Sequence, residues 1–243
     1  MLLTGKEPAQ KLYETLPKRE EMPGLLAMYD PKDVPAGWYV KTILREGNAH
    51  GIPVYACPFG TDCPVPLERL GGMILLSKPP YPICIPEKLD VDGMGTGGYA
   101  ALYAGQKEGF PKNTPCTAEA CVRLLDYYSI PVSGKHVVIL GRSLTVGRPL
   151  AMLLMSRDAT VTICHSKSQH LSELCQSADI LICATGKSGL VGREQVSPWQ
   201  TVINIGGEVI EEEVQPLVQN FCPLRGGIGA LTTAVLFRHV VGN

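Results

Sequence analysis

The clearest pattern in the chain begins near residue 117 and alternates between two periodicities. Residues 117–128 place Ala118, Cys121, Val122 and Leu125 at helical spacing, with Thr117 as a candidate N-cap. His136-Val-Val-Ile-Leu140 is a short unbroken apolar run, as expected of a strand covered on both faces. A glycine turn follows, then a helical pattern over about 146–156. The rhythm continues with a strand at 160–164, a helix at 171–177 and strands at 179–184 and 201–205. Strands and helices alternating at this spacing predict a parallel α/β sheet of right-handed crossovers.

The first 115 residues read differently. Pro53, Pro58, Pro64, Pro66, Pro79, Pro80, Pro82 and Pro86 crowd the segment. Such density interrupts helices and central strands and predicts a loop-rich lobe. Gly95, Gly97 and Gly98 read as a flexible turn, and 105–115 as an irregular connection. The chain therefore divides into a smaller α/β lobe over 1–115 and a regular domain over 116–231, followed by a helix from about Thr232 to the end.

Composition narrows the possibilities. With 45% apolar residues, the chain can bury a substantial core, and 22 basic against 23 acidic residues give no excess to attract nucleic acid. No apolar run reaches the roughly 18 residues of a membrane span, and residues 1–6 turn polar too quickly for a secretory signal. A cytosolic, membrane-free protein is expected. Neither Cys57/Cys63 nor Cys116/Cys121 forms C-x-x-C, and no histidine cluster completes a zinc set. No metal is expected, and Cys164 and Cys183 read as small hydrophobes in buried strands.

The candidate chemistry lies in the turn after residue 140. Gly141-Arg-Ser-Leu-Thr-Val-Gly147 joins strand to helix, with Ser143 where G-x-G-x-x-G has its second glycine. A glycine leaving the strand, a small residue and a packing glycine leave helix N–H groups available to a diphosphate, as in a Rossmann-type domain. A purely structural turn is the alternative. The next strand ends Cys164-His165-Ser166-Lys167, with no carboxylate at the position that binds a ribose 2′-hydroxyl. A hydroxyl and a cation there, with Arg142 in the turn, suit the 2′-phosphate of NADP rather than NAD.

These residues resemble the methylenetetrahydrofolate dehydrogenase/cyclohydrolase family nearly end to end. The resemblance is carried by Pro115-Cys-Thr, Gly141-Arg-Ser with Val146-Gly-Arg-Pro149, Cys164-His-Ser-Lys167, Gly186-Lys187 and Gly226-Gly-Ile-Gly229, and in the first lobe by Gly5-Lys6, Pro23-Gly24, Tyr39-Val40 and Asp90-Val-Asp-Gly93. It implies a cleft between an NADP domain and a folate lobe, and oxidation of 5,10-methylenetetrahydrofolate followed by hydrolysis of the methenyl product. Arg142 and Ser166 would hold the 2′-phosphate, with Gly141, Ser143, His165, Gly207 and Thr232 near the dinucleotide. Tyr39 would stack on the aminobenzoyl group, Asp92 would accept hydrogen bonds from the pterin, and Leu76, Gly226 and Gly227 would flank the substrate. The last helix would pack back on the first lobe. A homodimer through the cofactor domain is also implied.

The sequence departs from that family at telling positions. The lysine of the family's Tyr-x-x-x-Lys is Ile43, and its supporting glutamine is Leu76. Lys41 follows Tyr39 by two positions, which on a helix turns it roughly 200° away; Lys78 is the other lysine near enough to enter the cleft. Asn204-Ile-Gly-Gly-Glu208 and Arg225-Gly-Gly-Ile-Gly-Ala230 replace family loops, and the chain is shortened between Cys57 and Gly72 and after Glu208. Hydride transfer needs chiefly alignment, whereas hydrolysis needs proton transfers. The expectation is a dehydrogenase with weak or absent cyclohydrolase activity. A silent ligand-binding paralogue and an NADP oxidoreductase for another substrate are the alternatives. His50, His136, His170 and His239 show no acid or nucleophile partner in sequence and read as structural, while Asp92 has a second reading as a turn-forming carboxylate.

Overall fold

A computed structural model describes residues 1–17, 21–106 and 108–242. The first lobe runs α1 (Lys6–Glu14), β1 (Gly24–Tyr29), α2 (Val34–Ala49), β2 (Val54–Pro58), β3 (Leu70–Leu75) and α3 (Thr96–Ala104). The second comprises α4 (Cys116–Tyr127), β4 (His136–Leu140), α5 (Gly147–Met155), β5 (Thr160–Cys164), α6 (Leu171–Gln176), β6 (Ile180–Cys183), β7 (Thr201–Asn204), α7 (Glu211–Val214) and β8 (Asn220–Cys222). The last helix, α8, spans Ile228–Gly242.

The predicted parallel sheet is present, in the order β5-β4-β6-β7-β8. Val137, Val138 and Ile139 of β4 pair with β5 on one side and β6 on the other, and all three are fully buried. Their lack of alternation follows from helices covering both faces. The sequence pattern did not reveal β8, which is only three residues long and has one apolar residue flanked by Asn220 and Cys222.

The proline-rich lobe is more regular than its composition predicts. It holds a parallel sheet in the order β2-β1-β3. Pro53 and Pro58 bound β2, which is an edge strand, and β1 at the centre carries no proline. Proline is tolerated there because an edge strand has backbone N–H groups with no ladder partner to lose. The Gly95 to Gly98 segment is a second correction: it starts helix α3 instead of a flexible turn.

Two helix starts also differ from expectation. The N-cap of α4 is Pro115, whose own side chain makes no capping bond, and Thr117 lies inside the helix. Helix α8 begins four residues before Thr232. Nine of the fifteen residues of α8 are buried, including Leu231, Val235, Phe237 and Val241, while Gly229, Ala230 and Arg238 are exposed. It packs against α1, α2, β1 and β3 of the first lobe and against α4. One continuous core thereby joins Leu25 and Ile43 to Val137 and Ile182. This shared core fixes the two lobes against each other and gives the cleft between them rigid walls.

Candidate active site

The cleft forms where α2, the end of β3 and the turn after residue 89 face the starts of α4 and α8. Helix α2 begins after Asp33, whose Oδ1 accepts the Ala36 N–H at 3.1 Å, and this cap sets the rotation of the helix. Tyr39 then faces the cleft, while Ile43, one turn on, is 0% exposed in the core. The Tyr39 hydroxyl is buried and makes no hydrogen bond among the described residues, although Thr233 lies beside it. Burial, with Cys116, Asp92 and Tyr13 nearby, pushes this phenol well above its ordinary range.

The Asp90-Val-Asp-Gly93 turn divides its carboxylates between two jobs. Asp90 is buried and accepts N–H groups from Asp92 at 3.3 Å, Met94 at 3.1 Å and Gly95 at 2.7 Å. It is therefore Asp90, and not Asp92, that shapes the turn. Gly93 completes it with φ +63°, and a Cβ there would lie 2.0 Å from the Asn113 carbonyl oxygen, so only glycine fits. Asp92 is left facing the cleft, with Oδ1 accepting the Cys116 N–H at 2.8 Å. Burial raises the Asp92 carboxyl above the usual carboxylate range, opposed by the Cys116 N–H and by His239.

The cleft has a volume of about 410 Å³ and is lined by Tyr39, Leu76 and Asp92 from the first lobe and by Asn204 and Thr232 from the other side. Four residues singled out in the sequence thus share one cavity. Gly226 and Gly227, expected beside the substrate, do not line it. The Gly226 carbonyl accepts the Gly5 N–H at 2.9 Å, and a Cβ on Gly5 would lie 2.0 Å from the Gly227 oxygen. The loop is clasped against the start of α1, and the following Ile228 and Gly229 reach the cavity. Lys41 and Lys78 are exposed and do not line it.

A second cavity of about 400 Å³ opens beyond the carboxyl ends of β4, β5 and β6 and is lined by His165, Ser166, Ser168, Thr185 and Lys187. This is the point where strand order reverses around β4, the usual crevice for a dinucleotide. Gly141 beside it has φ +118°, and a Cβ there would lie 2.3 Å from the Ala184 carbonyl oxygen. Gly147 packs as closely on the Gly141 oxygen, at 2.1 Å for an added Cβ. These close approaches, with an exposed Arg142 that has no hydrogen-bond or ion-pair partner among the described residues, fit a dinucleotide phosphate chain.

One part of the turn differs from the sequence expectation. The first helical N–H groups of α5 are not left open, because Ser143 Oγ accepts from Val146 at 3.1 Å and Gly147 at 3.3 Å, and its carbonyl accepts from Arg148 at 3.1 Å. A serine has a hydroxyl that folds back onto the turn where glycine has none.

Sequence reasoning missed Glu208. Its buried carboxylate accepts N–H groups from Thr185 and Gly186 after β6 and from Gly206 after β7, the last at 3.0 Å. Both loops at the sheet's carboxyl edge are thereby tied to one side chain. Gly207 sits in the same loop with φ +85°, its N–H donated to Asn204 Oδ1 at 3.1 Å. No group of three or more His, Cys, Asp or Glu is placed to hold a metal ion, and no helix is long and apolar enough to cross a membrane, among the described residues.

Fold and site define a two-lobed α/β enzyme of the dinucleotide-binding class, with the reaction cleft between the lobes. Residues 115–243 match the family described as tetrahydrofolate dehydrogenase/cyclohydrolase, NAD(P)-binding domain. The bifunctional protein FolD of Carboxydothermus hydrogenoformans is 36% identical over 87% of this chain and 73% of its own length. That of Dictyoglomus turgidum is 33% identical over 99% and 96%. The crystal structure of the bifunctional enzyme FolD, methylenetetrahydrofolate dehydrogenase/cyclohydrolase, from Campylobacter jejuni superposes with a TM-score of 0.86 at 28% identity, covering 100% of this chain and 97% of that one. The chain belongs to the tetrahydrofolate dehydrogenase/cyclohydrolase family.

Proposed function

We propose that the protein oxidises 5,10-methylenetetrahydrofolate by hydride transfer to NADP, with little or no hydrolysis of the methenyl product. The observation that carries this reading is the contrast between two residues of α2. Tyr39 stands in the cleft wall, whereas Ile43 lies in the core where the family's lysine is expected, and neither Lys41 nor Lys78 replaces it.

NADP, when bound, supplies the hydride acceptor. The substrate nitrogen's lone pair assists departure of the hydride, so the protein's task is chiefly to align the reacting atoms. Tyr39 offers its ring to the aminobenzoyl group, and Asp92 accepts hydrogen bonds from the pterin's amino edge. Leu76 flanks the substrate. Arg142 and Ser166 hold the 2′-phosphate, joined by Lys187, while Gly141, Ser143, His165, Gly207 and Thr232 lie along the dinucleotide. Residues 1–115 form the folate lobe and 116–231 the cofactor domain, in a cytosolic homodimer serving one-carbon metabolism.

Hydrolysis makes a different demand. It needs a water activated and protons moved, for which an amine of lowered pKa is suited. Isoleucine has neither a donor nor a titratable group, and Leu76 cannot orient a replacement. Loss of a general acid–base typically costs about 10²- to 10⁴-fold.

The test is to mix the protein with 5,10-methylenetetrahydrofolate and either NADP or NAD, following reduced nicotinamide and methenyl product separately. Accumulation of methenyl product with NADP is the expected result. Tight NADP binding without turnover would overturn the dehydrogenase reading, and stoichiometric loss of the methenyl species would overturn the hydrolysis reading.

A further inference from the structure

Three groups from distant parts of the chain meet behind Asp92. His239 of α8 is 15% exposed, and both of its ring nitrogens face acceptors. Nδ1 lies 2.8 Å from the Val91 carbonyl oxygen, and Nε2 lies 3.0 Å from Glu119 Oε2. An imidazole serves two acceptors at once only when both nitrogens carry protons. Glu119, 1% exposed on α4, is in turn held at Oε1 by Arg123 Nε at 2.7 Å, with Arg238 at 3.6 Å.

The neighbouring thiol gives this cluster the outline of a nucleophilic triad, since Cys116 Sγ lies 3.7 Å from His239 Nδ1. The geometry assigns it another role. The Nδ1 proton is committed to the Val91 carbonyl, and Cys116 Sγ donates to that same oxygen at 3.1 Å. Burial pushes the Cys116 thiol well up, away from a thiolate. What the cluster grips is the backbone of Val91, the residue before Asp92.

We propose that His239 is a positioning residue for the folate half of the cleft: paired with Glu119, it holds the Val91 carbonyl and so fixes Asp92, and its positive charge keeps that carboxylate an acceptor. The inference rests on the reading of Asp92 as the pterin's partner. Asp92 can take hydrogen bonds from amino groups on both oxygens only while ionised. Burial works against that state, and the Cys116 N–H and His239 work for it. The charged and titratable groups around His239 are Glu119 and Arg123 on α4, Arg238 on its own helix, Cys116, Asp92 with nearby Asp90, and Lys112 in the outer recess shared by Glu119 and His239.

Two variants test it in the full chain by steady-state kinetics with 5,10-methylenetetrahydrofolate and NADP. His239→Asn keeps a donor but no charge, and the KM for the folate is expected to rise about tenfold, the scale of one charge-assisted hydrogen bond. The KM for NADP and kcat should move by no more than about twofold. Glu119→Gln keeps an acceptor for Nε2 but removes its charge, so His239 loses its proton at lower pH. The alkaline limb of kcat/KM for the folate should then move down by about one pH unit. Equal losses in both KM values, or an unmoved limb in Glu119→Gln, would overturn the proposal. Wild-type protein that binds NADP without oxidising the folate would instead overturn the functional reading on which it rests.

Discussion

Asp92 reaches across the lobes to the first N–H of α4: its Oδ1 accepts from Cys116 at 2.8 Å while the carboxyl faces the cleft. One side chain thus ties the first lobe to the second and presents an acceptor to the space between them. Asp92→Asn separates the two roles. The amide oxygen can still accept from Cys116, so the thermal midpoint should fall only slightly, by the equivalent of about 1 kcal/mol. Folate affinity should fall about 10- to 100-fold, because an amide offers only one acceptor oxygen to the amino edge of a pterin. The pH profile gives a further check. Burial raises the Asp92 carboxyl, so the acid limb of folate binding should lie above the ordinary aspartate value, and it should vanish in Asp92→Asn.

Gly141→Ala places a methyl group 2.3 Å from the Ala184 oxygen at a φ of +118°. Backbone strain and the forced separation of the β4 and β6 ends should cost about 1–3 kcal/mol. Fluorescence titration should show NADP binding lost or weakened more than tenfold, since the turn supports the phosphate chain. Folding with unchanged NADP affinity would remove Gly141 from the cofactor site.

Arg142 and Lys187 lie on different loops, one in the phosphate turn and one after β6 beside Ser166. Replacing either with alanine should raise the KM for NADP by about tenfold and leave that for NAD nearly unchanged, because only NADP carries the 2′-phosphate. Loss of both dinucleotides in parallel would assign the residue to the diphosphate instead.

Ile43→Lys tests the hydrolytic half. Ile43 is 0% exposed, so the new amine would be desolvated, with a depressed pKa and a stability cost of several kcal/mol (about 3). Cyclohydrolase activity, followed as decay of the methenyl absorbance, should stay low in Ile43→Lys and rise further when Leu76→Gln is added. Strong recovery by the single substitution would show that the glutamine is dispensable.

The Glu119 and His239 pair predicts a bounded window of stability. Burial alone would raise Glu119, yet His239 and Arg123 outweigh it and hold the carboxyl below its ordinary 4.5. Its contribution is present above that value and lost as pH falls through the depressed one. Burial alone would lower His239, yet Glu119 and the Val91 carbonyl hold it above 6.5. Its contribution is full below 6.5 and lost as pH rises through the raised value. The pair should therefore stabilise the fold most between about pH 4.5 and 6.5. Calorimetry across pH should show wild type losing this advantage over Glu119→Gln on both sides of the window.

The cofactor half was the more legible in sequence because its signals are local. Unbroken runs such as 136–140 report burial on both faces, and Gly141 and Gly147 stand at a strand end and a helix start. The first lobe hid its sheet, since the prolines around its strands mask an arrangement in which they occupy only edges and loops. No local pattern around Glu208 marked it as a functional residue. It proved to be buried among N–H groups of two loops, one of them 22 positions earlier at Gly186.

The sequence by itself determined the parallel sheet, the glycine turn and the absence of an acid after β5. Each of these is a property of neighbouring residues, and the backbone geometry of a strand or helix turns neighbours directly into faces. Only the tertiary structure decided that Asp90 shapes the turn while Asp92 faces the cleft, and that His239 has an acid partner. Glu119 and His239 are 120 positions apart, on helices brought together by burial of α8 between the lobes. Apolar packing of that kind sets which helices touch, and no local pattern records which polar side chains it will leave face to face.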